Sequence, residues 1–311
     1  MQLTVLGTAA QMPTARRNHN AYFLKWEKSG FLIDPGEGVQ RQMIYAGIRP
    51  SAVTHILISH FHGDHCFGLP GLLQKLAAAK PKIKIPLLYP ADGEKIFRHL
   101  LGAAALQSEE FLQAVPINQE PFRLQAGSLQ IEAQFLNHRV PALGYRINKA
   151  AVWHICPKKI AAAGLTGSLI GKLKLTGKLD YNGKSFHLAD YAVLGKPIAF
   201  AAILDTRPCD AAERLLQNAH LALLECTYLP EEQALAENYK HLTVSEARAL
   251  CENNHVNNSV LTHFSQRYDT LESFEKILKD SLCNFILADD LDRISIQEKT
   301  GELFLQKAER K

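Results

Sequence analysis

The chain has 311 residues, of which 47% are hydrophobic and 21% are charged, the balance of an ordinary globular protein. This composition excludes a disordered chain, and the sequence has no run of about 18 apolar residues that could span a bilayer. A net charge of +4 is too small to indicate nucleic-acid binding by itself.

The first part of the chain has the β-rich runs and apolar alternation that are typical of strands. The pattern predicts strands near residues 3–6, 22–26, 31–34 and 53–59, and one helix at 38–46. Since the chain enters its first strand without a basic segment or an apolar signal core, we expect a cytoplasmic protein.

The rest of the chain alternates strands with helices. A helix is predicted at 70–79, mixed patterns run to residue 122, and strands follow at 129–136 and 144–147. From residue 197, strands are predicted at 198–204, 221–225 and 259–263, and helices at 210–218, 244–253 and 268–279. Two sets of strands, each followed by helices, predict an α/β fold with four layers, an αββα sandwich. At this length we expect one domain over residues 1–311.

Residues 157–196 differ in composition from their surroundings. Six glycines interrupt this segment, and seven lysines against two aspartates give it a local charge of +5. An irregular segment of this length inside a domain is usually functional or disordered. We interpret it as an inserted basic arm that projects from the sandwich. The alternative is a flexible loop whose lysines are merely solvated.

A short segment after the strand at 53–59 contains four metal-binding side chains. His60 and His62 alternate with an apolar residue, so both imidazoles face one side, and a glycine lets the chain turn Asp64 and His65 toward the same space. Imidazole and carboxylate ligands suit zinc, manganese or iron. The six cysteines include no C-x-x-C pair, which argues against a sulfur-rich structural site.

One segment cannot enclose two ions, so further ligands must come from other strand ends. Three candidates lie just beyond apolar strands: His138, Asp205 and His263. A carboxylate at Asp205 could bridge two metals about 3.5 to 4 Å apart, as in two-metal hydrolases. Two divalent ions, with Asp64, Asp205 and one hydroxide, leave a net charge of about +1, which favours an anionic phosphodiester. Each of the three candidates, taken alone, could also be a structural residue.

The His-x-His-x-Asp-His pattern is the signature of the metallo-β-lactamase superfamily, and the chain resembles ribonuclease Z almost from end to end. The similar blocks include residues 13–18, 34–42, 46–50, 65–73, 138–141, 205–209 and 262–268. The resemblance implies an endonuclease that removes the 3′ trailer from precursor tRNA and leaves a 3′-hydroxyl. It also implies two zinc ions, although manganese suits the same ligands. The implied ligands are His60, His62 and His138 for one ion, Asp64, His65 and His263 for the other, and Asp205 as the bridge.

The resemblance also implies catalytic roles for three residues. Asp64 would assist deprotonation of the attacking water, and His241 in the block His-Leu-Thr would help to protonate the leaving oxygen. Glu225 matches the carboxylate that orients this histidine. The structural alternative for His241 is a cap on the helix that starts near Thr243.

The insert matches the arm with which the family contacts the tRNA body. Its candidate RNA-binding residues are Lys158, Lys159, Lys172, Lys174 and Lys178. The family works as a homodimer in which the arm of one subunit serves the site of the other, so a dimer is implied. Gly167-Ser168 stands where the family usually has Gly-Pro.

Two other functions stay open on the residues. A hydrolase of the same fold could act on small phosphodiesters or esters, and the arm would then be incidental. A chain whose chemistry has decayed could be an RNA-binding protein, although the complete ligand set argues against this.

Overall fold

A computed structural model of the protein describes residues 1–105, 109–298 and 300–308. They form two compact units, one of Met1–Ile147 with the described part of Ala199–Lys311, the other of Asn148–Ile198. Within the described ranges, no helix is both long and apolar enough to cross a membrane.

The strands and helices are named in chain order. The elements up to residue 149 are β1 (Gln2–Gly7), β2 (Ala9–Ala10), β3 (Ala21–Trp26), β4 (Ser29–Ile33), α1 (Val39–Tyr45), β5 (His55–Leu57), α2 (Gly63–Cys66), α3 (Leu69–Ala78), β6 (Ile85–Pro90), α4 (Glu94–Leu101), β7 (Leu112–Ile117), β8 (Phe122–Ala126), β9 (Leu129–Leu136) and β10 (Ala142–Lys149). The elements that follow, up to residue 194, are β11 (Trp153–Ile155), α5 (Pro157–Ala162), α6 (Gly167–Thr176), β12 (Lys178–Tyr181), β13 (Lys184–His187), α7 (Leu188–Tyr191) and β14 (Ala192–Leu194). The last part contains β15 (Ile198–Ile203), α8 (Asp210–Leu216), β16 (Leu221–Glu225), α9 (Gln233–Tyr239), α10 (Val244–Asn253), β17 (Asn258–Thr262), β18 (Phe264–Ser265), α11 (Glu272–Leu278), β19 (Asn284–Leu287), β20 (Arg293–Ile296) and β21 (Leu303–Gln306).

The larger unit is built on two mixed sheets. The strand orders are β21-β20-β1-β3-β4-β5-β6-β7 in the first sheet and β19-β17-β16-β15-β10-β9-β8 in the second. In the first sheet β4, β5, β6 and β7 are parallel, and in the second β15, β16, β17 and β19 are parallel. Because parallel neighbours need crossover connections, helices join these strands and cover the sheets.

Apolar helix faces bury the outer surface of each sheet. Leu72 and Leu76 of α3 share a core with Ile56 of the first sheet, and Leu250 of α10 shares another with Leu224 of the second. The sheets also contact each other, because the Tyr145 hydroxyl of β10 donates to the carbonyl of residue 58 at 2.7 Å. The predicted α/β sandwich with layers in the order αββα is therefore confirmed.

Several predicted boundaries were wrong. The strand predicted at 53–59 ends at Leu57, since the Ser59 N–H donates to the Asp34 side chain at 2.6 Å. The helix predicted from residue 268 begins at Glu272. Asp64 lies on the helical turn α2, which was not predicted. Helix α9 and strands β19 to β21 were not predicted.

The smaller unit contains the predicted insert, 157–196, and extends beyond it at both ends. It has a small apolar core that includes Ile160, Leu173 and Phe186, and the hairpin of β12 with β13 supports it. This core argues against the alternative of a loop without structure. The elements are only three to ten residues long, which explains the weak periodicity of the sequence.

Candidate metal centre

The carboxyl ends of several strands meet at one edge of the sandwich. His60, His138, Asp205 and His263 lie just beyond β5, β9, β15 and β17. The chain turns sharply at two of these residues, because Asp205 and His263 adopt left-handed backbone conformations with φ of 45° and 62°. This rare conformation ends each strand and directs the following side chains to the same edge.

A first group of ligand atoms comes from His60, His62, His138 and Asp205. Nε2 of His60 lies 2.8 Å from Nδ1 of His62, which is 3.3 Å from Nε2 of His138. Oδ2 of Asp205 lies 3.5 Å from His60 Nε2. Ligands of a tetrahedral zinc ion are about 3.3 Å apart for bonds of about 2.05 Å, so these spacings fit one ion.

A second group comes from Asp64, His65 and His263, and the other oxygen of Asp205 faces it. Oδ2 of Asp64 lies 3.3 Å from His65 Nε2 and 3.6 Å from His263 Nε2. Oδ1 of Asp205 lies 3.1 Å from His263 Nε2. Asp205 therefore turns one oxygen toward each group, the geometry that a bridging carboxylate requires.

Two buried atoms at this site lack a hydrogen-bond partner among the described residues. They are Asp205 Oδ1 and His263 Nε2. A buried polar atom without a partner is costly, and both atoms belong to the second ligand group. The donor set of imidazoles and carboxylates, with these two atoms at its centre, therefore fits divalent metal ions.

The protonation states of three of these residues also suit metal binding. Burial would raise the pKa of Asp205, but the neighbouring charges of His263 and His65 outweigh it and hold the pKa well below its usual value. Burial lowers the pKa of His60 well below its ordinary value and that of His138 to about 4. Ionised carboxylates and neutral imidazoles are the forms that bind metals, so Asp205, His60 and His138 are in the binding form. His65 is the exception: burial lowers its pKa, but the charges of Asp205, Asp64 and Asp34 outweigh burial and raise the pKa well above its usual value. A metal ion would have to displace the proton of His65.

A second layer of hydrogen bonds orients the ligands. Asp34 is fully buried and its Oδ2 lies 2.7 Å from Nδ1 of His65. The Ser59 hydroxyl donates to the same carboxylate and contacts Nδ1 of His60 at 3.0 Å. With Nδ1 engaged, each of these two imidazoles presents Nε2 to the centre, as metal-binding histidines usually do.

The other ligands are oriented by the backbone and by a hydroxyl. Nδ1 of His138 lies 3.0 Å from the carbonyl of Lys240, so it donates and leaves Nε2 for a metal. Nδ1 of His263 lies 2.8 Å from the hydroxyl of Thr227, which itself donates to Glu225 at 2.6 Å. Glu225 is thus linked to a candidate metal ligand.

Glu225 and His241 form a buried pair beside the ligand groups. Oε1 of Glu225 lies 3.1 Å from Nδ1 of His241, and the carboxylate also accepts hydrogen bonds from the N–H groups of Thr206 and Leu242. Burial alone would lower the pKa of His241, but the charges of Glu225 and Asp205 raise it to about 9. His241 can therefore carry a proton at neutral pH.

Two alternative roles for His241 do not fit this geometry. Its Nδ1 lies 3.9 Å from Oδ2 of Asp205, near enough for a shared metal, but that nitrogen is engaged by Glu225. Thr243 caps helix α10, and the side chain of Glu246 completes a capping box with it. His241 is therefore not needed as the cap.

The structure brings together the sequence-predicted ligands and the pair of Glu225 and His241. The candidate RNA-binding lysines belong to the smaller unit, and all of them are exposed: Lys158, Lys159, Lys172, Lys174 and Lys178. Asp34 was given no role from the sequence. It follows β4 just as Asp205 follows β15, so the rule that located the other ligands could have found it.

Comparisons with known proteins identify the family of this chain. A family model described as Metallo-beta-lactamase superfamily matches residues 14–127. "Ribonuclease Z" of Thermobifida fusca (strain YX) is 38% identical over 306 residues, which cover 97% of this chain and 96% of that protein. "Ribonuclease Z" of Protochlamydia amoebophila (strain UWE25) is 39% identical over 289 residues, covering 93% of this chain and 94% of that protein.

Solved structures support the fold. The short form of human tRNase Z has a TM-score of 0.65 at 23% identity, covering 96% of this chain and 100% of that one. The metallo-beta-lactamase fold protein YhfI from Bacillus subtilis has a TM-score of 0.68 at 15% identity, covering 94% and 97%. With relatives at 38–39% identity over nearly the whole length, the chain belongs to the ribonuclease Z family.

Proposed function

We propose that this protein is an endoribonuclease that removes the 3′ trailer from precursor tRNA by hydrolysing one phosphodiester bond. The observation that carries the proposal is the arrangement around Asp205. Its two oxygens face separate groups of candidate metal ligands, and the side chain of His241 lies beside them, with Nδ1 at 3.9 Å from Oδ2. With divalent ions bound, this arrangement would supply positive charge for a phosphate, and His241 would supply a proton for a leaving oxygen.

We propose that the centre binds two zinc ions, with manganese as the substitute. His60, His62 and His138 would hold the first ion, and Asp64, His65 and His263 would hold the second. Asp205 would be shared between them. When bound, the ions supply activation of water and neutralisation of the phosphate charge.

The protein's own residues would manage the protons. Oδ2 of Asp64 accepts a hydrogen bond from the N–H of Gln11 at 2.9 Å and faces the second ligand group, so it would orient the attacking water and assist its deprotonation. Nδ1 of His241 is engaged by Glu225, so its Nε2 would donate the proton to the departing 3′-oxygen of the tRNA. Hydrolysis in this direction leaves a 3′-hydroxyl on the tRNA and a 5′-phosphate on the trailer.

The exposed lysines of the smaller unit would bind the tRNA body through its phosphates. These side chains are positively charged, and contacts between lysine and phosphate contribute much of the affinity for RNA without depending on the base sequence. The insert, residues 157–196, would then be an arm of a single domain over residues 1–311 that contacts the tRNA body.

We also propose that the protein works as a homodimer in the cytoplasm. Helix α1 ends with Ile44 and Tyr45, each 64% exposed, and Phe67 near the metal ligands is 60% exposed. Large exposed apolar side chains of this kind are typical of protein interfaces. They support an assembly in which two copies cover one another's apolar surface.

The test is cleavage of a 3′-extended precursor tRNA by the purified, zinc-loaded protein. We expect one cut at the start of the trailer, with a 3′-hydroxyl on the tRNA that accepts ligation and a 5′-phosphate on the released trailer. Asp64→Asn serves as the matched inactive control. Absence of cleavage beside an active reference nuclease, or equal turnover of unstructured RNA, would overturn the proposal.

A further inference from the structure

A half-buried carboxylate outside the ligand groups, Asp290, connects three segments of the larger unit by hydrogen bonds. Asp290 follows β19 and accepts hydrogen bonds from the Thr8 hydroxyl at 2.7 Å and the Asn18 N–H at 2.6 Å. Nε2 of Gln42 on α1 donates to it at 3.2 Å. No role in the mechanism above requires this residue.

Asn18 is the last residue of an exposed loop, residues 11–18, whose other end lies at the metal centre. There the N–H of Gln11 donates to Oδ2 of Asp64 at 2.9 Å, and Nε2 of His19 contacts the carbonyl of Gln11 at 3.1 Å. The loop is therefore fixed at one end by a candidate metal ligand and at the other by Asp290.

The same carboxylate also acts on a basic side chain of the loop. The guanidinium of Arg17 lies 4.9 Å above the ring of Phe264, the residue after His263, and its Nη1 donates to the Thr8 hydroxyl at 3.3 Å. That hydroxyl in turn donates to Asp290. A guanidinium held in this way can bind a phosphate of the substrate chain.

We propose that Asp290 is a positioning residue for the RNA substrate, which sets the loop of residues 11–18 and the guanidinium of Arg17 beside the metal centre. The inference rests on the proposed function, because it concerns how the same substrate is held. Asp290 touches no candidate metal ligand in the hydrogen bonds described above. Its removal is therefore expected to weaken substrate binding while the metal content and the chemical step are retained.

Two variants test these hydrogen bonds: Asp290→Asn keeps most of them but removes the charge, and Asp290→Ala removes both. An asparagine oxygen can accept from Asn18 and Gln42, and its amide can donate to the Thr8 hydroxyl, so most of the contacts survive. Alanine removes all of them. Asp289→Asn is the matched control, since this neighbouring carboxylate pairs with Lys307 at 3.5 Å.

The experiment measures kcat, KM and zinc content of the full-length, zinc-loaded protein with precursor tRNA. We expect Asp290→Ala to raise KM about tenfold, as loss of a charge-assisted contact to phosphate would, with kcat within about twofold and zinc unchanged. Asp290→Asn should restore KM close to the wild-type value, and Asp289→Asn should leave it unchanged. If Asp290→Ala does not fold, Thr8→Val breaks the same connection to Arg17 and takes its place.

A double-mutant cycle with Arg17→Ala gives the decisive result. If Asp290 acts through Arg17, the double variant should have a KM no higher than the worse single variant. Additive increases, or a fall in kcat together with loss of zinc, would overturn the inference. Cleavage by the wild type tests the proposed function separately, so an active wild type with an unaffected Asp290→Ala variant would refute only this inference.

Discussion

Glu225 holds His241 in place through a 3.1 Å contact between Oε1 and Nδ1, while its backbone and hydroxyl partners fix the carboxylate itself. The carboxylate is fully buried, so its orientation cannot relax into solvent. The contact fixes the orientation of the His241 ring and keeps a proton on Nδ1, so that Nε2 faces away from Glu225.

His241→Ala is accordingly expected to lower kcat by a factor of about 10² to 10⁴, the usual contribution of a positioned general acid. Zinc content and the KM for precursor tRNA should change little, because the metal ligands are untouched. Glu225→Gln should also lower kcat, since its amide group would face hydrogen-bond donors that now point at an acceptor. Single-turnover kinetics with metal analysis would check both, and a loss of zinc in His241→Ala would identify this residue as a ligand instead.

Asp205→Ala should reduce the bound zinc from two ions per chain toward one or none. The reason is that this carboxylate offers one oxygen to each ligand group. Elemental analysis after dialysis is the measurement, with His99→Ala as a control because that histidine is exposed. Two retained zinc ions in Asp205→Ala would contradict the bridging role.

Removing the metals with a chelator should lower the thermal stability of the protein by several degrees. A ligand that binds only the folded state stabilises it by about 4 kcal/mol when its concentration is a thousandfold above Kd. Without metal, the buried atoms Asp205 Oδ1 and His263 Nε2 would also lack a partner, which destabilises the folded state. Differential scanning calorimetry with and without added zinc tests this. An unchanged Tm would mean that the centre binds metal weakly or not at all.

Replacing the five candidate lysines of the smaller unit with alanine should weaken binding of precursor tRNA and flatten its dependence on salt. If about five phosphates are neutralised, the wild-type affinity should fall roughly a hundredfold between 50 and 200 mM salt. Filter binding across this range gives the slope. The matched control replaces exposed lysines of the larger unit: Lys28, Lys80, Lys82, Lys84 and Lys95. An equal loss of slope in both sets would assign the effect to net charge.

Asp290→Asn should make stability less sensitive to pH. Burial raises the pKa of Asp290 to about 6, against the opposing hydrogen bonds of Asn18 and Thr8 and the charge of Arg17, while Asp289 adds to the increase. Because the folded pKa lies above the unfolded value, the wild type is most stable relative to the variant below about pH 4 and loses this advantage as the pH rises to about 6. Between pH 4 and pH 7.5, the free energy of unfolding of the wild type should fall by about 3 kcal/mol relative to that of the variant. Thermal unfolding of both proteins from pH 4 to pH 7.5 measures it, and parallel curves would contradict the assignment.

The candidate ligands could be proposed from the sequence because they lie just beyond the ends of strands. Asp205 follows a strand that is entirely apolar, His138 follows one that alternates apolar and polar residues, and His263 follows one with the apolar pair Val260 and Leu261. Strands that run in the same direction place such ends at a common edge. The roles of Thr227 and the Lys240 carbonyl could not be predicted in this way. Each depends on a single hydroxyl or backbone group, which has no signature in the sequence and acquires its role only through tertiary contacts.

The smaller unit was the hardest part to predict. Its helices are short and expose lysines on most sides, so the apolar residues of its core, such as Ile160 and Leu173, recur without a clear period. Helix α6 begins at Gly167 with φ of 46°, where the family usually continues with proline and this chain has Ser168. The chain nonetheless forms a helix there, which the glycine-rich composition did not predict.

At Asp205 and His263, the residue that best suits the left-handed backbone is not the residue that can bind a metal ion. Glycine adopts this conformation without strain, so many generations of selection for heat resistance alone would favour glycine at both positions. Glycine has no side chain with which to bind an ion. Replacing either residue with glycine is therefore expected to relieve backbone strain while removing a side chain that faces the metal centre.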